Sequence, residues 1–121
     1  VDVITTMSDP SIPLTTGEYK EWGNPENKEE FEYILQYSPY DNISELNYPS
    51  MLVTAGLWDS QVQYYEPAKY VAKLRDFNKS ENPILMKMNM SAGHSGVSGR
   101  FESLREVAME YAFLLRIDSD K

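Results

Sequence analysis

Met51-Leu52-Val53-Thr54-Ala55-Gly56-Leu57-Trp58-Asp59 is an apolar run that ends in a glycine and then delivers an acid. Ile84-Leu85-Met86-Lys87-Met88-Asn89-Met90 repeats the pattern and leads to Gly93-His94-Ser95-Gly96, which holds the single histidine of the chain. Runs this short, bounded by Pro49 and Gly56 or opened by Asn82-Pro83, fit buried strands. Between them a stretch from about Glu66 to Asn78 carries Ala68, Val71, Ala72, Leu74 and Phe77 at helical spacing, with Pro67 in its first turn. Strand, helix and strand in that order predict a parallel pair joined by a crossover helix, hence an α/β fold.

Outward from this unit the signals are weaker. Residues 100–117 predict a long last helix with Phe101, Leu104, Val107, Ala108, Tyr111, Leu114 and Leu115 on its core side. Asn24-Pro25 predicts an earlier helix, with Asn24 as N-cap, Pro25 at the first position and Phe31, Ile34, Leu35 and Tyr37 on one face. Pro39 ends it, because the residue before a proline avoids the helical region. Val1 to Thr6 reads as the end of a strand, and Pro10, Pro13, Gly17 and Gly23 mark the rest of residues 1–24 as irregular loop. Two complete strands are too few for a self-standing parallel sheet. The opening Val1-Asp2-Val3-Ile4 has no initiator Met and no cleavage signature, so the chain reads as a cut through a longer polypeptide. Lacking strand partners, it is expected to expose apolar surface and to self-associate.

Composition narrows the function. The chain has 121 residues, room for one domain at most, with 41% apolar and 25% charged residues, a globular balance. Its net charge of −8 disfavours nucleic acid, whose phosphates need clustered Lys and Arg, and suits cationic peptides or small molecules. Six glutamates against two lysines put −4 into the fifteen residues from Glu18 to Glu32. No run approaches the length of a membrane span. Cysteine is absent, which excludes disulfides, thiolate zinc sites and a Cys nucleophile. A cytoplasmic location is the expectation. One histidine among dispersed carboxylates is not a metal ligand set.

The chemistry-bearing residues follow the strands. Asp59 falls where a parallel strand meets its loop, the usual place of function in an α/β sheet; a turn-forming Asp is the plainer alternative. His94 is the only side chain suited to general base work near neutral pH, and a surface loop histidine is the competing reading. Acid then histidine, each past a strand, is the back half of the Ser…Asp…His order of α/β-hydrolases. The front half is missing: no Gly-x-Ser-x-Gly occurs in the 121 residues, and the frames around Ser95 and Ser98 fail at the final glycine. Glu18 is either a solvated loop acid or a group able to hold a cationic side chain. Tyr19, Trp22 and Trp58 are candidates for a subsite or for packing.

Longer blocks then carry a resemblance. Asp9-Pro10-Ser11-Ile12-Pro13-Leu14-Thr15, Glu21-Trp22-Gly23-Asn24-Pro25, Tyr37-Ser38-Pro39-Tyr40-Asp41-Asn42, Tyr65-Glu66-Pro67-Ala68-Lys69-Tyr70 and Ala92-Gly93-His94-Ser95-Gly96 resemble the oligopeptidase B branch of the prolyl oligopeptidase family of serine peptidases. The resemblance spans nearly the whole chain. It implies that residues 1–121 are the C-terminal portion of an α/β-hydrolase catalytic domain, with the nucleophilic serine and a β-propeller upstream. It implies Asp59 and His94 as triad acid and base, Glu18 as an acid associated with preference for Arg or Lys before the scissile bond, and no metal or organic cofactor. The implied partners are short basic peptides.

Two positions depart from the pattern. Lys20 stands where a second acid is often found, which would relax the basic preference. Gln61 stands where prolyl oligopeptidases proper carry a substrate-binding Arg, and it fits the oligopeptidase B branch better. A stand-alone interaction module and a prolyl-type enzyme are the competing readings.

Overall fold

The computed structural model describes residues 1–119. Strands β1 (Met51–Gly56) and β2 (Ile84–Asn89) form a two-stranded parallel sheet, with Met51 opposite Ile84 and Gly56 opposite Asn89. Helix α4 (Tyr65–Phe77) makes the crossover and packs on both strands. This is the α/β arrangement that the two apolar runs predict.

Strand periodicity decides the core. Met51, Val53 and Met86 pack against the buried cluster of Ile43, Val71, Leu74 and Ile84, whereas Leu85 and Lys87 point away and are exposed. Each full burial of a Leu, Ile or Val contributes about 1.5–3 kcal/mol, so this small cluster is the main anchor of α4. Ala72, expected on the buried face, is exposed. The buried face instead includes Glu66 and Pro67 in the first turn.

The N-terminal third departs from expectation. Val1 to Thr6 is not a strand end: residues Val3–Ser8 form helix α1. The β-branched residues argue for a strand, but Asp2 is an N-cap whose side chain accepts the Thr5 N–H at 3.1 Å. Asp2 also ion-pairs with Lys69 of α4, and that tertiary contact overrides the weak local propensity. A 3₁₀ turn (Thr15–Glu18) and a short helix α2 (Tyr19–Trp22) occupy the rest of the supposed loop.

Helix α3 (Lys28–Tyr37) begins three residues later than Asn24-Pro25 suggests. Asn27 is the cap and accepts the Glu29 N–H at 3.1 Å. Asn24 and Pro25 lie in the preceding turn, where Asn24 accepts the Glu26 N–H at 3.0 Å and Glu30 reaches back to the Asn24 N–H at 2.6 Å. The helix ends before Ser38-Pro39, as predicted, but only Ile34 of its apolar face is fully buried; Leu35 and Tyr37 are exposed.

Helix α5 (Arg100–Ser119) inverts its expected orientation. Phe101, Leu104, Val107, Tyr111, Leu114 and Leu115 are all exposed. The partly covered side is the opposite one, Glu106, Met109, Phe113 and Ile117. Spacing tells which side chains share a face but not which surface covers it. Here α5 is tied to the sheet by the Asn89 amide, which donates to Glu106 at 2.8 Å.

Candidate active site

Asp59 and His94 come from loops that leave adjacent strands at the same end of the sheet. The loops are stitched together by their backbones. Leu57 N–H donates to the Asn89 carbonyl at 2.8 Å and Trp58 N–H to the Ala92 carbonyl at 3.0 Å. The exposed Trp58 indole adds a bond to the Met90 carbonyl at 3.1 Å. Such close passage needs glycine: a Cβ on Gly56 would lie 2.5 Å from the Ala92 oxygen. The His94 loop then closes on itself through Gly96, at φ +78°, whose N–H donates to the Gly93 carbonyl at 3.1 Å.

The two side chains meet. His94 Nδ1 lies 3.0 Å from Asp59 Oδ2 and 3.1 Å from Oδ1. Asp59 is further held by its own turn, Oδ1 accepting the Gln61 and Val62 N–H groups at 2.9 and 2.8 Å. Burial is the largest single influence on the Asp59 carboxyl and would raise its pKa. The Val62 and Gln61 N–H groups and the His94 imidazole together outweigh it and hold the carboxyl below its usual range. Asp59 is therefore ionised at neutral pH, and facing an acceptor-only carboxylate fixes the proton on Nδ1. Nε2 is left as the basic nitrogen on the far side of a ring whose side chain is 46% exposed. Chemically, this is an oriented imidazole backed by a fixed charge, able to take a proton at Nε2.

His94 borders two cavities. One, of about 320 Å³, lies between the sheet and α5 and is walled by Val53, Ala55, Gly56 and Met109. The other, of about 300 Å³, is lined by Glu18, Trp22, Gln61 and Glu66 together with His94. The fold thus gathers Asp59, His94, Glu18 and Gln61 into one region. Lys20 is exposed and does not line this cavity, nor do Tyr19 and Trp58. Glu18 and Trp22, four residues apart, share the inward side of the turn and helix while Lys20 points elsewhere. Leu14, in the left-handed region at φ +75°, precedes the turn and accepts the Glu18 N–H at 3.1 Å. A non-glycine residue there costs about 1–2 kcal/mol, a strain retained where the turn presents Glu18.

Glu66 is the residue that sequence reasoning passed over. An acid before a proline in a helix's first turn reads as a favourable dipole contact. Nothing local announces its burial. Among the described residues no group of three or more His, Cys, Asp or Glu is placed to hold a metal ion. No helix among them is long and apolar enough to cross a membrane.

Comparison with known proteins identifies the family. The chain is 63% identical over 115 residues to dipeptidyl aminopeptidase BI of Pseudoxanthomonas mexicana, covering 95% of this chain and 16% of that protein. It is 54% identical over 115 residues to Protease 2 of Moraxella lacunata, covering 95% of this chain and 17% of the relative. The solved structure of oligopeptidase B from Leishmania major superposes with a TM-score of 0.93 at 47% identity, over 97% of this chain and 16% of that one. The chain therefore spans about a sixth of the length of the proteins it matches. The model of the prolyl oligopeptidase family matches residues 1–119, and the chain belongs to that family.

Proposed function

We propose that this chain supplies the acid and the general base of a serine peptidase triad, Asp59 and His94. The nucleophilic serine would come from polypeptide outside the 121 residues. The observation that carries the reading is the 3.0 Å contact between His94 Nδ1 and Asp59 Oδ2 at the carboxyl ends of parallel strands. In this mechanism Nε2 takes the serine hydroxyl proton as the oxygen attacks the scissile carbonyl carbon. The resulting imidazolium, stabilised by Asp59, gives that proton to the leaving amine as the C–N bond breaks. Water then repeats the cycle on the acyl-enzyme. Because no Gly-x-Ser-x-Gly is present, the 121 residues alone should not turn over peptide by this route.

The substrate reading is a short peptide cleaved after Arg or Lys. Glu18 supports it as a partly exposed carboxylate in the cavity beside His94, and Gln61 as a polar group on the same wall. Lys20, outside that lining, gives no reason to expect a relaxed preference. In the complete polypeptide, peptides matched except at P1 should be cleaved after Arg and Lys in preference to Pro. Glu18→Gln should lower kcat/KM for the Arg peptide about 10- to 100-fold, the value of a charge-assisted hydrogen bond. Faster cleavage after Pro than after Arg would refute the substrate reading.

The similarity to a protein named dipeptidyl aminopeptidase supports a second reading, removal of dipeptides from a free amino end. The same peptides with free and blocked N-termini separate the two. By itself the chain is proposed to pair with a second copy through the exposed Leu104, Tyr111, Leu114 and Leu115 side of α5. Sedimentation should then show dimers or larger at tens of micromolar, and a clean monomer would count against it.

A further inference from the structure

We infer that Glu66 is a second, specificity-determining acid of the cavity that holds Glu18. It is a buried fixed charge that favours a cationic side chain from behind the wall. The inference rests on the peptidase reading and extends it to a residue far from Glu18 in sequence.

Glu66 is 3% exposed, yet it lines the cavity of about 300 Å³ together with Glu18 and His94. Its carboxylate cannot swing out to solvent. Oε1 accepts the Asp2 N–H at 2.6 Å and Oε2 accepts the Thr6 hydroxyl at 2.6 Å. Both oxygens act as acceptors, as in an ionised carboxylate. Four charges stand on this side of the cavity: Asp2, Glu66, Lys69 and the amino group of Val1, which lies 2.5 Å from Glu66 Oε1. Asp2 and Lys69 cancel as an ion pair. In a longer polypeptide the Val1 nitrogen is a neutral peptide N–H, which leaves the charge of Glu66 in excess.

No Lys or Arg is among the residues lining the cavity, so with the Val1 nitrogen in peptide linkage a ligand there meets two carboxylates and no cationic side chain. A charge in a poorly hydrated wall acts over several ångströms with little screening. Glu18, partly exposed, can adapt its position to a ligand; Glu66 supplies a field that does not move. The chemistry that fits is a guanidinium or ammonium group.

The alternative is that Glu66 only holds α1 to α4. Glu66→Gln separates the two, because its amide oxygen can still accept from Asp2 N–H and its amide NH₂ can donate to the Thr6 hydroxyl. The experiment uses the complete polypeptide and two peptides identical except for Arg or its uncharged isostere citrulline at P1. Glu66→Gln should lower the Arg-to-citrulline ratio of kcat/KM about tenfold, through KM, as expected for one charge acting at a distance. Thr6→Val removes one bond to Glu66 but keeps its charge, and should leave the ratio where it is. A ratio preserved in Glu66→Gln, or one that falls equally in Thr6→Val, overturns the role of Glu66 alone. A wild-type protein that cleaves no faster after Arg than after citrulline overturns the peptidase reading of the cavity and this inference with it.

Discussion

Asp59→Asn in the complete polypeptide should lower kcat by about 10⁴ while leaving the fold intact. The geometry makes the direction specific. Asp59 Oδ1 accepts two backbone N–H groups, from Gln61 and Val62, at 2.9 and 2.8 Å. An asparagine must keep its carbonyl oxygen in that position, since the alternative leaves two N–H groups facing an amide NH₂. The NH₂ therefore takes the place of Oδ2 and points at His94 Nδ1, which lies 3.0 Å away. Nδ1 must then accept rather than donate. Its proton moves to Nε2, and an imidazole protonated there cannot take the hydroxyl proton of a serine. Kinetics on an Arg peptide, with the tautomer read by ¹⁵N NMR, would check both halves. A variant within tenfold of wild type would remove Asp59 from the mechanism.

Gly56→Ala should cost both stability and activity. Its Cβ would sit 2.5 Å from the Ala92 oxygen and 2.8 Å from the Gly93 oxygen. Both are backbone atoms, so no rotamer change relieves the clash. The His94 loop must retreat, breaking the 3.0 Å bond from Trp58 N–H to the Ala92 carbonyl and carrying the imidazole away from Asp59. Overpacking of this kind costs about 1–3 kcal/mol. A displacement near 1 Å at a reacting group costs on the order of 10²-fold in rate. Thermal unfolding and kcat should therefore fall together. Gly17→Ala is the control: a Cβ there meets nothing within 4 Å, and both readouts should stay near wild type. Wild-type activity in Gly56→Ala would mean that the loop contact does not set the His94 position.

Much of the site was legible because its signals are local. Asp59 and His94 stand out as an acid and the sole histidine just past two apolar runs, and runs of that length have few structural readings. Their meeting at 3.0 Å follows from the parallel register, which places both loops at one end of the sheet. Glu18 was visible only through the surrounding motifs. Lys20, singled out by the same motifs, is exposed and lies outside the cavity lining.

β1, α4, β2 and their order were readable from the chain alone, since hydrophobic period, proline and glycine act over a few residues. The acid and the histidine stood out as candidates for the same reason. Long-range packing settles that Val3–Ser8 is a helix, that α5 presents its leucine-rich side to solvent, and that Glu66 is buried against Asp2 and Thr6. Each of these depends on partners outside its own segment. A β-branched hexapeptide, an amphipathic face or a glutamate in a first turn has no fixed fate of its own. The distant surface that covers it, or the distant donors that neutralise it, set the balance between burial and hydration.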